Sequence, residues 1–556
     1  MESESRTCGL CKEGFVISPD DFGFYERMQV PAPNLCPTCR FKRRAQFRNE
    51  MVLYNRKCSR CGKSMVAMYH PSSPYTIYCS DCWSSDAWDP TQYGQAYDSG
   101  RPFFDQLNEL LKRVPKAGIY ASPDVGPNIN SEYTNFAGGN KDCYLIFNSG
   151  PQNENCAYSR GIMNIRDGFD SYFCDVSERM YEGVNVQKSN AVVWVQNTAE
   201  CLNSWFLLNC VGCSNCFGCV NLRHKSYHWF NEELSKEEWA RRMKEVAGSY
   251  AKLEDARKKF EKFALKFPRR ENNNLRSVNC TGDYIFDSKD CNASFEIASS
   301  ENLGYCFFIK LAKDCYDLIG HGRKSDLLLE GVATGTSSRV IGSWWTMLSH
   351  DVEYSWALRA GEYCFGCDSL RSGKYMILNK QYSEEEYKKI REQIIAELKS
   401  KNLYGLFIPP SLAPFAYNET IAQDNLTMKK EEAIAQGFRW QDDLQMTMGK
   451  ETMKSEAIPD NIKDVPDSIT KEVLVCITCG RNYRLIQPEV TFYKKMEISI
   501  PRQCFFCRHR NRLARRGPMK LFDRGCAKCK KQIKTNFAPD RPEIVYCENC
   551  YQNEVI

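Results

Sequence analysis

The 556-residue sequence predicts a multidomain, mainly β protein in which a duplicated parallel β-solenoid with capping helices lies between two cysteine-rich end modules. Three observations predict it. Eight cysteines near the start recur near the end at a constant offset. A second duplication lies in the middle. Between these, short β-prone segments recur every 11 to 13 residues, separated by Asn, Asp, Gly and Ser turns.

Residues 1–90 form the first module. Cys8, Cys11, Cys36, Cys39, Cys58, Cys61, Cys79 and Cys82 give C-x2-C-x24-C-x2-C and then C-x2-C-x17-C-x2-C. Residues 471–556 repeat it at an offset of 468 through Cys476, Cys479, Cys504, Cys507, Cys526, Cys529, Cys547 and Cys550. Four thiolates in a tetrahedral set suit Zn²⁺, so four zinc ions are expected, and they would stabilise modules too small for much core. Disulfides and an iron site are the alternatives. Ligands pairing in sequence order is the simpler arrangement, while cross-bracing through Cys8, Cys11, Cys58 and Cys61 stays open at this point. Thirty cysteines in a long chain, many in C-x-x-C pairs and with no leader pattern, favour a reducing, cytoplasmic setting. The sequons at Asn418 and Asn425 then carry no sugar.

The segment CGLCKEGFVISPDDFGFYERMQVPAPNLCPTCRFKRR resembles the probable treble-clef zinc-ribbon family. The matching positions are Cys8, Cys11, Phe15, Phe24, Tyr25, Pro33, Cys36, Pro37, Cys39 and Arg40. In the second copy Tyr483 stands for Phe15 and Phe505 for Pro37. The whole chain is similar to multi-zinc proteins of candidate-phyla bacteria, through stretches such as Pro459–Asp467 and Pro542–Tyr551. That likeness implies no particular activity.

In a treble clef the last ligand pair opens a helix. CRFKRRAQFR would then align Arg40, Arg44 and Arg48 on one face, and CRHRNRLARR would align Arg508, Arg512 and Arg515 or Arg516, with Arg510 nearby. Such faces can neutralise phosphates, and Phe41, Phe47, Phe505 and Phe506 could stack on bases. Equally, the arginines could pair with the acidic middle of the same chain. Residues 471–556 hold 18 Lys/Arg against 8 Asp/Glu, so a polyanion would dock at this end.

Residues 91–132 read as a helical linker. The first solenoid unit with its closing helix is expected over 133–268 and the second over 269–400. The stretch from Cys216 matches that from Cys364 without a gap. Ser235-x-x-Glu238 and Ser383-x-x-Glu386 are capping boxes that start the closing helices. A solenoid turn of roughly 22–24 residues, made of two segments, fits the step. An antiparallel β-sandwich is the alternative. Residues 401–470 are a proline-interrupted linker with a short helix near 428–436, packing Phe407, Phe415 and Trp440.

Catalytic motifs are missing: there is no G-x-S-x-G, phosphate loop, H-E-x-x-H or dinucleotide glycine pattern. The histidines are isolated. His224 and His228 become Ser372 and Met376 in the second copy. Asp175, Glu182, Asp326 and Glu330 are the carboxylates a glycan-acting β-helix would use. The run NCVGCSNCFGC offers Cys210, Cys213, Cys216 and Cys219, but Cys210 and Cys213 become Leu358 and Gly361 in the second copy, so packing inside the solenoid fits better than a metal cluster. The expectation is a zinc-binding, non-enzymatic protein that binds RNA or DNA. The alternative is a protein-interaction scaffold, with a protein partner or self-association and no membrane partner.

Overall fold

The computed structural model describes residues 2–121, 125–444 and 446–555. Residues 122–124 and 445, within the two expected linkers, lie outside the described residues. The chain divides into two compact units that exchange its ends. One holds Met1–Ile119, Asn272–Asp442 and Met519–Leu521; the other holds Tyr120–Glu271, Asp443–Pro518 and Phe522–Ile556. The N-terminal module therefore belongs with the second half of the middle, and the C-terminal module with the first. No described helix is long and apolar enough to cross a membrane.

In the second of these units a ten-stranded sheet is built from parallel pairings. Its register advances by twelve, apart from one step of thirteen from Asn140 to Asn153: Met163 pairs with Asp175, Asp175 with Gln187, and Gln187 with Ala199. From Asn164 to Asn209 every third residue has positive φ. Each such residue makes a corner, so twelve residues and four corners complete one turn. This corrects the expected turn of 22–24 residues: the 11-to-13-residue step in the sequence is the whole turn, not half of it. The all-parallel pairing also removes the sandwich alternative.

Left-handed backbone costs an L-residue about 1–2 kcal/mol, and Asn and Asp tolerate it best. They line the corners and bond to their equivalents one turn on. Asn185 Nδ2 donates to Asn197 Oδ1 at 3.0 Å, and Asn203 Nδ2 donates to Asn215 Oδ1 at 2.7 Å.

The residue after each corner points inward. Four inward side chains share each turn, so the core is narrow. Ile165, Cys174, Met180, Val186, Val192, Cys201 and Leu207 fill it. Serine fits the same positions because its hydroxyl accepts an N–H from the next turn: Ser189 N to Ser177 Oγ at 3.0 Å, and Cys216 N to Ser204 Oγ at 3.0 Å.

The other unit follows the same rule in a twelve-stranded sheet. Ser338, His350, Glu362 and Lys374 pair in succession at twelve-residue steps. One turn is a residue longer, with Ala312 opposite Ser325. The extra residue is absorbed at Gly320, His321 and Gly322, which all have positive φ. Aromatic side chains stack on the outside one turn apart: Trp344 on Trp356 at 4.0 Å, and Phe217 on Trp229 at 4.0 Å.

Helices close both windings. Ser383 and Glu386 form the full reciprocal cap of the helix Glu384–Ser400, whereas Ser235 caps Lys236–Val246 from one side only, and a second helix runs over Tyr250–Ala264. In the 91–132 segment the α-helix is Phe103–Arg113. In 401–470 the short helix is Lys430–Ala435; Phe407 and Phe415 are buried and Trp440 is half-buried.

Candidate metal centres and arginine-bearing helices

Each cysteine set is assembled the same way. The first pair sits in the tight turn of a two-stranded antiparallel hairpin, as between Glu4–Thr7 and Gly14–Ile17. The fourth residue after the first cysteine is left-handed in every set: Lys12, Gly62, Gly480 and Lys530. The second pair opens a helix. Cys36 caps Pro37–Ala45, Cys79 caps Ser80–Ser84 and Cys504 caps Phe505–Arg516, while Cys547 precedes Glu548–Val555. A helix N-terminus favours thiolate over thiol.

The sulfurs gather in sequence order: Cys8, Cys11, Cys36 and Cys39; Cys58, Cys61, Cys79 and Cys82; Cys476, Cys479, Cys504 and Cys507; Cys526, Cys529, Cys547 and Cys550. Within each set all four lie within 4.8 Å of one another. Cross-bracing is thereby excluded. Sγ–Sγ distances across the pairs are 3.6 Å for Cys11–Cys36, 3.9 Å for Cys61–Cys79, 3.7 Å for Cys479–Cys504 and 3.6 Å for Cys529–Cys547. A tetrahedron with metal–sulfur bonds near 2.3 Å has an edge of about 3.8 Å, so each set fits one metal ion. No cysteine is in a disulfide. Backbone N–H groups support the sulfurs, with Cys36 N to Cys8 Sγ at 3.3 Å and Cys79 N to Cys58 Sγ at 3.2 Å. The hydrogen bond with Cys39 pulls the Cys36 thiol down to about 5, and that with Cys504 pulls Cys476 down to about 4, against the opposing effect of burial.

The arginine faces are not solvated. Arg40 Nε meets Asp317 Oδ2 at 3.0 Å, and Arg44 spans Asp317 at 2.9 Å and Glu330 at 2.6 Å. Arg48 pairs with Glu50 at 2.5 Å. In the other unit Arg508 meets Asp170 at 3.0 Å, Arg512 spans Asp170 at 2.8 Å and Glu182 at 3.0 Å, and Arg515 meets Glu182 at 2.7 Å. Arg516 Nη1 donates to the Tyr172 hydroxyl at 3.0 Å.

Arg40, Arg44, Arg48, Arg508, Arg512 and Arg516 are each at most 9 % exposed, and Arg515 is largely covered. Of the eight arginines expected to reach phosphates, Arg510 alone is exposed, and it donates to Cys507 Sγ at 3.2 Å. These faces dock within their own unit, on carboxylates of the middle region, as the alternative of pairing within the chain expects. The receiving carboxylates sit at corners of successive turns, and both units use the same scheme. Phe505 packs on Phe147 and Tyr158, and Phe47 on Phe407 and Trp356, so these rings serve the core.

Glu182 and Glu330 are therefore arginine acceptors. Asp175 is half-buried and takes an amide from Asn164 at 3.0 Å, and Asp326 is exposed. Among the described residues, these carboxylates form no shared metal-holding group. The stretch NCVGCSNCFGC carries the four corners and four inward positions of one turn. Cys210, Cys213, Cys216 and Cys219 point inward, one per side, and each sulfur donates to the carbonyl two residues earlier at 3.4 to 3.5 Å. They too fall outside the four metal-holding sets.

Sequence reasoning missed Asp170 and Asp317 as partners. The available signal was the internal duplication: Glu182 and Glu330 share the offset of the repeated cysteines, and Asp170 and Asp317 miss it by the one inserted residue. Compared with known protein families and with curated proteins, the sequence matches neither.

Proposed function

We propose that the chain is a zinc-dependent, non-enzymatic binding scaffold. In this reading each unit is a β-solenoid clamped by a treble-clef module, and each cysteine set holds one Zn²⁺. A four-thiolate set leaves no open position for a substrate, so the metal would order the fold rather than perform chemistry. The observation that carries the reading is the docking of both arginine helices onto solenoid carboxylates. The modules then act as clamps, and the long solenoid sides are what remains for a macromolecular partner.

The partner in this reading is a protein. In-cell cross-linking of the full chain, with identification of cross-linked proteins and nucleic acid, tests it. Recurrent protein cross-links on the solenoid sides support it, and cross-links to nucleic acid alone sink it. Nucleic-acid binding remains as a second reading, favoured by one observation. The turn after Cys526 exposes Lys528, Lys530, Lys531 and Lys534, and polyanion binding would move there from the buried arginines.

A further inference from the structure

The first-described unit, which carries the N-terminal module, holds a cavity of 290 Å³ against the last turns of its winding. Its wall includes Arg339, Asp351, Glu353, Tyr363, Tyr375 and Tyr387. Helix Glu384–Ser400 adds Arg391, Lys388 and Glu384.

The duplication supplies an internal control. At the equivalent positions, 148 residues earlier, the other unit has Ala191 for Arg339, Asn203 for Asp351, Trp205 for Glu353, Asn215 for Tyr363 and Met243 for Arg391. The same winding and closing helix form without these polar groups. These five groups are thus particular to this unit, while Tyr375 recurs as Tyr227, and their convergence on one cavity suits a ligand.

Charge narrows the ligand. Every base in the wall is matched by an acid: Arg339 with Asp351 at 3.1 Å, Arg391 with Glu353 at 2.6 Å, and Lys388 with Glu384 at 2.6 Å. An anion would meet no surplus cation, and a cation no surplus anion. The aromatic faces are engaged as well. Tyr363 and Tyr375 stack at 5.3 Å, Tyr387 closes on both, and the Lys374 ammonium lies 5.9 Å and 5.4 Å from their centroids. A nucleobase needs an open face to stack on. The polar groups of the wall are tyrosine hydroxyls and paired carboxylate and guanidinium groups, which suit a neutral ligand rich in hydroxyls. The volume lies at the lower end for small-molecule sites and suits a single ring.

We infer that this cavity binds one neutral sugar ring, held by hydroxyl hydrogen bonds to Arg339, Asp351 and the tyrosine hydroxyls. The test is saturation-transfer NMR on the full-length, zinc-loaded protein. The probes are glucose, galactose, mannose and N-acetylglucosamine, with uridine and inorganic phosphate alongside. At least one sugar should receive saturation, and its affinity should fall at least tenfold in R339A/D351N. That variant carries the residues the other unit already tolerates; unchanged circular dichroism and metal content verify its fold, and D351N alone serves if the double variant does not fold. The inference is overturned if no sugar receives saturation at about 10 mM, if saturation persists undiminished in the variant, or if only uridine or phosphate binds.

Discussion

Replacing Arg512 with alanine is the sharpest perturbation of the docking scheme. Its side chain is fully buried and is shared between Asp170 and Glu182, with a further bond from Nη2 to the Tyr158 carbonyl at 3.1 Å. Removing one partner of a buried ion pair costs about 3–5 kcal/mol, because the charge left behind is desolvated without compensation. Here each carboxylate keeps one arginine, Asp170 keeping Arg508 and Glu182 keeping Arg515. The loss should therefore sit at the lower end, about 3 kcal/mol.

The unit holds about 260 residues. With an unfolding entropy of about 2.1 cal/mol/K per residue, 3 kcal/mol lowers its Tm by about 5 °C. Differential scanning calorimetry on zinc-loaded protein reads this directly. An exposed lysine of the same unit makes the control: K258A should stay within about 0.5 kcal/mol of the parent. If R512A melts within 1 °C of the parent, the arginine face does not hold the unit together, and its burial has no energetic meaning.

Other outcomes follow from the same geometry. C36S should lower the metal content by about one ion per chain, whereas C213S should leave it unchanged, since Cys213 packs inside a turn where serine is already used; elemental analysis of both variants checks this. C216F should destabilise by about 1–3 kcal/mol in urea unfolding, because four side chains share each turn and a ring overfills it. Chelation should release the helices Pro37–Ala45 and Phe505–Arg516, seen as lost amide protection, and the freed arginines should give new, salt-sensitive retention on a polyanion column. S383A should cost about 1 kcal/mol by removing a helix cap whose hydroxyl accepts the Glu386 N–H at 3.3 Å.

The metal ligands were legible because their chemistry depends on local spacing, and four C-x-x-C pairs recur with the same intervals in both end modules. The pairing of those ligands was not legible: sequence order and cross-bracing use the same spacings, and only the way the hairpins and helices fold back chooses between them. The capping serines were legible for the same local reason. The direction of the arginine faces was not, because Arg508 meets a carboxylate 338 residues away, and helical spacing says which residues share a face but not what it meets. The period of the winding was misjudged for a subtler reason. Left-handed corners recur at every third residue whether the corner is Asn, Trp194 or Phe206, so residue type conceals a conformation that the whole turn imposes. The cysteine quartet was legible as packing because the second copy replaces two of its members, and its three-residue spacing is that of the inward positions.

Native mass spectrometry of the full-length chain, with metal identification, tests the central account most directly. Four zinc ions per chain, one for each sequential cysteine set, is the expected mass. A chain that carries fewer than four ions while keeping its full calorimetric transition, or one that carries iron, would contradict the zinc-clamped scaffold.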